Sequence, residues 1–325
     1  MIAASSALKA LSPGQLRWFR RLSVLALCAV GLRWLLHAGV AAAIALAPNA
    51  RLPWKRPQVL SAGAALSGRG VVPLRIPLGN TEGELVSWIV EPAVGVAKAT
   101  VVLLHGVRMD KRSLLPMALA VSDAGYRAVM VDLRGHGESG GDYLTYGAAD
   151  AADISRLLDA LQSDGLALGG VGVYGFSYGA VAAIGAAARD ARVVSVVAVA
   201  PFCSLRQVIG DYRRKYLPEV LRLVPDSWFQ SAVDDAGLWA GFDADTAAPL
   251  RNIAKARAEV LLIHGDADTQ VPLRHSQSLA HASAGRAPLV VVPGATHDAM
   301  PIDASRVIRD RTVAWFDSSL VAARH

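Results

Sequence analysis

The sequence predicts an α/β fold in which helices cover both faces of a mostly parallel sheet. From residue 99 onward, short apolar runs alternate with longer helix-like stretches, as in repeated strand–helix units. The runs are continuously apolar, which is typical of parallel strands that are buried on both faces. The predicted parallel strands are residues 99–104, 127–133, 168–174, 193–200, 259–263 and 288–292.

Two more predicted strands precede these units and bring the sheet to eight strands. Residues 71–76 and 84–90 are both apolar and β-branched in character. A turn-forming stretch, Gly79-Asn80-Thr81-Glu82-Gly83, lies between them. This arrangement predicts an antiparallel hairpin ahead of the parallel part.

The chain of 325 residues can hold one large α/β domain and a small appendage. We expect a basic N-terminal segment at 1–21, a hydrophobic helix at 22–47, a linker at 48–70 and the α/β domain at 71–322. The interval at about 202–256 separates two strands by far more than an ordinary connection. We expect it to form a short helical lid over the functional site.

Gly175-Phe176-Ser177-Tyr178-Gly179 has the spacing G-x-S-x-G between an apolar run and an alanine-rich run. This context predicts a strand, a sharp turn and a helix. A serine in such a turn adopts a strained backbone conformation that exposes its hydroxyl group. The N–H groups at the start of the following helix face the same space and can stabilise an oxyanion.

A second match to this spacing, Gly137-Glu138-Ser139-Gly140-Gly141, serves as a control. It follows a strand-like run, but no helix begins until about Ala148. A nucleophile of this type needs the helix behind it, so we interpret Ser139 as a loop residue.

A serine hydroxyl needs a base, and the base needs an orienting carboxylate. The apolar run 260–263 is followed by His264-Gly265-Asp266-Ala267-Asp268, and the run 288–292 leads to His297. Both segments follow the carboxyl ends of strands, where open α/β sheets bind their ligands. Asp266 and Asp268 are both candidates for the acid.

The ordered set of motifs resembles the α/β-hydrolase superfamily, in its serine-esterase and serine-aminopeptidase (S33)-like branch. The similarity covers about residues 71–320. The matching pieces are His105-Gly106, the stretch from Asp132 to Ser139, the stretch from Gly175 to Gly179, the segment His264-Gly265-x-x-Asp268-x-x-Val271-Pro272, and Gly294-x-x-His297.

This resemblance implies that Ser177 is the nucleophile, His297 the base and Asp268, rather than Asp266, the acid. It also implies that the N–H groups of Val107 and Tyr178 form an oxyanion hole. The implied activity is hydrolysis of a small-molecule carboxylic ester or acyl substrate through an acyl-enzyme, without a cofactor. A serine peptidase, a thioesterase and a non-catalytic binding protein are the alternatives on the same fold.

The remaining histidines of the predicted domain have structural interpretations. His105 and His264 each precede a glycine at a strand end and are expected to be turn residues, while His136 is expected to order its loop. His275 and His281 lie in a predicted helix and are expected to be solvated. None of them has the spacing of a metal site, so we expect no catalytic metal.

The N-terminal apolar segment is long enough to cross a membrane. Leu22–Leu32 and Trp34–Ala47 are uncharged apart from histidine and are separated by Arg33. A central arginine costs roughly 2.5–3.5 kcal/mol and each Leu, Ile or Val returns roughly 0.3–0.6 kcal/mol, so insertion is favoured. We expect a single inner-membrane anchor with a cytoplasmic N-terminus. The alternatives are an exported protein whose signal is cleaved near Ala43, Ala45 and Ala47, and a helix packed on the domain.

The formal net charge of +6 is concentrated in the first 70 residues, beside the apolar segment. No basic stripe with interleaved aromatic residues occurs in the predicted domain. We therefore expect the basic residues to face a membrane surface and expect no nucleic-acid partner. No sequence pattern specifies the oligomeric state.

Overall fold

The computed structural model describes residues 13–49, 70–79, 83–167, 169–219, 224–301 and 305–322. These residues form an eight-stranded sheet in the order β1-β2-β4-β3-β5-β6-β7-β8, which confirms the predicted fold class. The strands from β3 to β8 are parallel, and β1 and β2 add an antiparallel edge. They are β1 Val71–Pro77, β2 Glu84–Val90, β3 Thr100–Leu104, β4 Arg127–Asp132, β5 Val171–Phe176, β6 Val193–Val199, β7 Glu259–Gly265 and β8 Leu289–Val292.

Helices cover both faces of this sheet, so the parallel strands are buried on both sides as their continuous apolar runs predict. The helices are α1 Pro13–Ala45, α2 Leu115–Asp123, α3 Asp150–Ser163, α4 Tyr178–Arg189, α5 Leu205–Tyr216, α6 Asp226–Ala240, α7 Pro249–Lys255, α8 Arg274–Ala282 and α9 Ser305–Ala322. Helix α1 precedes the sheet. Helices α3, α4 and α8 contribute to the core on one face of the sheet, and α2 and α9 contribute to the core on the other.

The boundaries of β5 differ from the prediction in a way that matters for the site. The strand was expected at 168–174, but it begins at Val171 and continues to Phe176. Helix α4 begins at Tyr178, so a single residue, Ser177, makes the turn between them. The connection is tighter than the apolar run alone indicates, because Gly175 and Phe176 still pair with β6.

The interval between β6 and β7 folds into helices α5, α6 and α7, which we call the lid. Residues 220–223 of this interval, which the prediction included in the lid, lie outside the described part of the chain. An apolar cluster joins the lid to the body, with Phe202, Leu205 and Val233 in its interior. Two residues of α1, Ile44 and Ala45, belong to the same cluster.

Helix α1 has an exposed apolar stretch, and its C-terminal end packs against the α/β domain. Its large apolar side chains between Leu22 and Leu36 are exposed, whereas Ala41, Ile44 and Ala45 are buried. The stretch Arg21–Ala45 is apolar and long enough to cross a membrane. Residues 1–12 of the predicted basic segment 1–21, and residues 50–69 of the predicted linker 48–70, lie outside the described residues.

A buried lysine braces the loop that follows β4. The Lys111 side chain is fully buried, and its Nζ lies 2.5 Å from Asp132 Oδ2 and 2.7 Å from Glu138 Oε2. The ammonium also lies 4.6 Å from the centre of the Trp88 ring. Because Asp132 is equally buried, neither charge has water as an alternative partner.

We predict that Lys111→Met lowers the free energy of unfolding by about 3–5 kcal/mol, because it leaves a buried carboxylate without its cation. Lys98→Met is the matched control. Lys98 also pairs with a carboxylate, Asp317 at 3.2 Å, but its side chain is 47% exposed. We expect the control to lose less than about 1 kcal/mol. Denaturant unfolding of the full chain in detergent measures both, and equal losses would contradict the role of burial.

Candidate active site

The turn at Ser177 places its hydroxyl at the carboxyl edge of the sheet. Ser177 has φ 52° and ψ −110°, a conformation that costs a non-glycine residue free energy. Its N–H donates to the carbonyl of Val199 at 2.7 Å, which ties the turn to β6. The turn requires its flanking glycines, because a Cβ at Gly175 would lie 2.2 Å from the carbonyl oxygen of Gly179. A Cβ at Gly179 would lie 2.5 Å from the carbonyl oxygen of Leu104.

Tyr178 anchors the first turn of α4. Its ring is buried, and its hydroxyl accepts the N–H groups of Thr145 and Tyr146, each at 3.1 Å. The same hydroxyl donates to Asp150 Oδ2 at 3.1 Å. The side chain of Tyr178 thus joins α4 to the loop after β4, and its backbone N–H starts the helix without an intrahelical acceptor.

The structure brings Ser177, His297 and Asp268 together, although they lie on three separate loops. His297 Nε2 is 3.1 Å from Ser177 Oγ, and His297 Nδ1 is 2.6 Å from Asp268 Oδ2. A carboxylate only accepts, so the ring proton lies on Nδ1 and Nε2 is left to accept from the serine hydroxyl. The Asp268–His297 pair can take the proton from the Ser177 hydroxyl as the serine oxygen attacks a carbonyl carbon.

Asp268 is held as a carboxylate by donors around both of its oxygens. Oδ1 accepts the N–H groups of Gln270 at 2.9 Å and Val271 at 2.8 Å. Burial opposes ionisation, but the hydrogen bonds from His264, His297 and Val271 outweigh it and hold the pKa of Asp268 well below its usual range. The carboxylate therefore stays ionised across the range in which an imidazole can act as a base.

His264 has a larger role than the turn residue expected from the sequence. Its Nε2 lies 2.7 Å from the Val271 carbonyl and 3.4 Å from Asp268 Oδ2, so the proton on Nε2 faces both oxygens. Its Nδ1 accepts from the Ser276 hydroxyl at 2.7 Å. His264 and His297 thus both face the same carboxylate oxygen, Asp268 Oδ2.

Asp266, the alternative candidate for the acid, and Ser139, in the second match to the G-x-S-x-G spacing, both lie in hydrogen-bonded loops. Asp266 Oδ1 accepts the N–H of Gly294 at 2.6 Å, which joins the two loops that carry Asp268 and His297. Ser139 is buried, and its hydroxyl donates to the Asp132 carbonyl at 2.6 Å. The interpretation of Ser139 as a loop residue is therefore confirmed.

The loop after β3 places Val107 beside the serine. His105 supports this loop, since its Nδ1 donates to the Gly106 carbonyl at 2.7 Å and its Nε2 accepts the Leu133 N–H at 3.1 Å. Burial and the neighbouring His136 lower the pKa of His105 to about 3, so the ring stays neutral and keeps both bonds. Val107 lines the same cavity as Ser177 and Tyr178.

A cavity of about 660 Å³ opens above Ser177, a size typical of small-molecule sites. Most of its lining is apolar and aromatic. The lining comes from the end of α1, from the loops after β3, β4 and β7, from the turn at Ser177 and from the lid. The lid contributes Phe202, Val208, Ile209, Tyr212, Arg213, Tyr216, Leu217 and Phe229.

The expectation that His275 is solvated is wrong, whereas His281 is exposed as expected. His275 is fully buried, and its Nε2 donates to Asp211 Oδ2 at 2.8 Å. Its Nδ1 accepts the Cys203 N–H at 3.3 Å and lies 3.1 Å from Cys203 Sγ. The residue thus links α8 to α5 of the lid and to the segment between β6 and α5. Its partners are distant in sequence, so helical periodicity could not identify them.

Within the described ranges, no group of three or more His, Cys, Asp or Glu side chains has an arrangement that could hold a metal ion. Ser177, His297 and Asp268 are paired with one another, as described above.

Solved structures share this architecture. The Pyrococcus furiosus esterase Pf2001 matches with a TM-score of 0.63 and 21% identity, over 81% of this chain and 97% of that chain. An acylaminoacyl peptidase of Pyrococcus horikoshii matches with a TM-score of 0.57 and 17% identity, over 78% of this chain and 42% of that chain. At these identities the likeness shows the fold.

Comparison of sequences gives a relative and a family. The chain is 28% identical over 221 residues to the uncharacterized protein YqkD of Bacillus subtilis. The match covers 67% of this chain and 70% of that protein. The model of the alpha/beta hydrolase family matches residues 101–310. This match extends from β3 into α9 and includes Ser177, Asp268 and His297. The chain therefore belongs to the alpha/beta hydrolase family.

Proposed function

We propose that the protein is a serine hydrolase that cleaves carboxylic esters through an acyl-enzyme intermediate. The observation that carries the proposal is the chain of contacts from Ser177 Oγ to His297 Nε2 at 3.1 Å and from His297 Nδ1 to Asp268 at 2.6 Å. These distances lie in the range of hydrogen bonds that general-base catalysis requires. The family membership and the apolar cavity above the hydroxyl support the same function.

In the proposed mechanism, Ser177 Oγ attacks the ester carbonyl while His297 Nε2 takes the hydroxyl proton. Asp268 holds the imidazole orientation and stabilises the imidazolium. His297 then gives the proton to the leaving alcohol, and the acyl group stays on Ser177. A water molecule, deprotonated by His297, attacks the acyl-enzyme, and the carboxylic acid and free serine result.

The N–H groups of Val107 and Tyr178 are the proposed donors to the oxyanion. Both residues line the cavity with Ser177, and the N–H of Tyr178 is the first of α4. Backbone donors at a helix start need no reorganisation when the charge develops, which is why they stabilise a tetrahedral intermediate.

The lining of the cavity favours an ester over a free amino-terminal substrate. Recognition of a peptide's ammonium group would need a carboxylate at the site. Among the described residues that line the cavity there is no Asp or Glu, while Arg108 and Arg213 both contribute. An aminopeptidase activity is therefore less well supported than the hydrolysis of an ester.

We expect a fluorophosphonate probe to label the wild-type chain and Ser177→Ala to lose this labelling, because the probe reacts with an activated serine hydroxyl. Ser139→Ala is the control, since it alters the other G-x-S-x-G match. In-gel fluorescence of the full-length proteins measures both. Labelling that persists in Ser177→Ala, or that disappears only in Ser139→Ala, would refute the assignment of the nucleophile.

Asp268→Asn should lower kcat for p-nitrophenyl ester hydrolysis by about 10⁴-fold, because an amide no longer fixes the imidazole tautomer. Asp266→Asn is a matched control two residues away. Its amide oxygen can still accept the N–H of Gly294, so we expect activity of the wild-type order. Steady-state kinetics on both proteins tests the assignment, and the reverse pattern would make Asp266 the acid.

We further propose that α1 remains attached as a membrane anchor. Cleavage near Ala43, Ala45 or Ala47 would cut a segment that belongs to the body. Ala45 and Ala47 are buried, and the N–H of Ala47 donates to the Asp142 carbonyl at 2.9 Å. The exposed apolar stretch before it supports insertion into a bilayer.

Carbonate extraction of cell membranes tests this location. We expect the full-length chain in the membrane pellet by immunoblot, because carbonate removes peripheral proteins but not inserted helices. An integral membrane protein and a soluble protein of the same cells serve as controls. Full-length protein in the supernatant would exclude the anchor, and a product shorter by the α1 segment would establish export after cleavage.

A further inference from the structure

We propose that the C-terminal end of α1 forms the acyl-binding wall of the active site, so that the substrates are membrane-borne esters with a long apolar acyl chain. This inference rests on the proposed ester hydrolase function and specifies its substrate class. It makes α1 part of the substrate site as well as an anchor.

The wall consists of residues that line the cavity above Ser177. Five residues from the end of α1 and the segment that follows it face this cavity, and all are apolar: Val40, Ala43, Ile44, Leu46 and Pro48. Helix α5 of the lid supplies Val208 and Ile209, and helix α6 supplies Phe229. Each methylene group placed between such surfaces leaves water, which favours the binding of a long acyl chain.

The wall is held in place by hydrogen bonds that its backbone carbonyl groups accept from the loop after β4. The Tyr146 hydroxyl donates to the Ile44 carbonyl at 2.7 Å, and the Leu144 N–H donates to the Ala45 carbonyl at 2.8 Å. Leu46 pairs with Tyr143 in an antiparallel bridge. Because Tyr146 also donates its N–H to the Tyr178 hydroxyl, the same loop supports the wall and the nucleophile turn.

The exposed apolar stretch of α1 continues directly into this wall. The stretch Arg21–Leu36 would extend about 24 Å at about 1.5 Å per residue, which is most of a hydrocarbon core of about 30 Å. One residue later, His37 Nε2 lies 2.9 Å from Asp235 Oδ2 of the lid, and its ring contacts Trp228 edge-on. In this proposal the lid contacts α1 directly after the stretch that lies in the bilayer, and Val40, the first residue of the cavity wall, follows three residues later.

This placement sets the cavity at the membrane surface. An amphiphile in the bilayer can keep its acyl chain against α1 while its ester group reaches Ser177, so the chain need not cross water. A soluble hydrolase with a detached anchor would lack this continuity between the membrane-spanning surface and the acyl wall.

A chain-length series tests the inference on the full-length enzyme in mixed detergent micelles. The probes are p-nitrophenyl acetate, butyrate, octanoate and decanoate, and the measured quantity is kcat/KM. Ala43→Trp places a large ring in the cavity, and we expect it to lower the decanoate-to-acetate ratio of kcat/KM about tenfold. Ala38→Trp is the matched control: Ala38 is exposed, does not line the cavity, and lies about 140° around the same helix.

We expect the wild type and Ala38→Trp to prefer decanoate over acetate to the same degree. Equal losses on both esters in Ala43→Trp, or the same shift in Ala38→Trp, would overturn the acyl wall. A wild type that prefers acetate would also overturn it. These outcomes are distinct from a failure of the proposed function, in which the wild type hydrolyses none of the esters or Ser177→Ala retains activity.

Discussion

The backbone turn at Ser177 is the constraint on which the rest of the site depends. A residue with a Cβ is held at φ 52° between a buried strand and a buried helix, and this strain persists because the surroundings leave no alternative. The carbonyl of Val199 accepts a hydrogen bond from the Ser177 N–H. The buried Tyr178 hydroxyl fixes the start of α4. Gly179 lets the helix approach the Leu104 carbonyl closely. This geometry places the hydroxyl oxygen 3.1 Å from His297 Nε2.

The parallel sheet brings the other two groups to the same edge. Strands β7 and β8 are neighbours, so the loops after them emerge side by side. They pass so closely that a Cβ at Gly265 would lie 2.0 Å from the Ala295 carbonyl oxygen. Asp268 is then surrounded by donors, including His264, that keep it ionised in a buried position. The electrostatics of the site thus follow from loop contacts that only the folded sheet creates.

Much of this was accessible from the sequence because the signals are local. A glycine-flanked serine between an apolar run and a helix specifies the turn, and strand ends followed by Asp268 and His297 specify the shared edge. The role of His275 was not accessible, since its partner Asp211 lies 64 positions away on the lid. The packing of the end of α1 was not accessible either. Small residues near Ala45 match the pattern of a cleavage site, and in the structure Ala45 is packed in the apolar cluster that joins the lid to the body. Apolar composition does not distinguish those two uses.

Mass spectrometry of the protein quenched during turnover of a p-nitrophenyl ester tests the central claim most directly, because it detects the covalent intermediate itself. In Asp268→Asn and wild-type protein at saturating substrate, the account predicts a mass increase of one acyl group. Peptide mapping should place this acyl group on the fragment that carries Ser177. Turnover by the wild type with an acyl group on another residue would contradict the account.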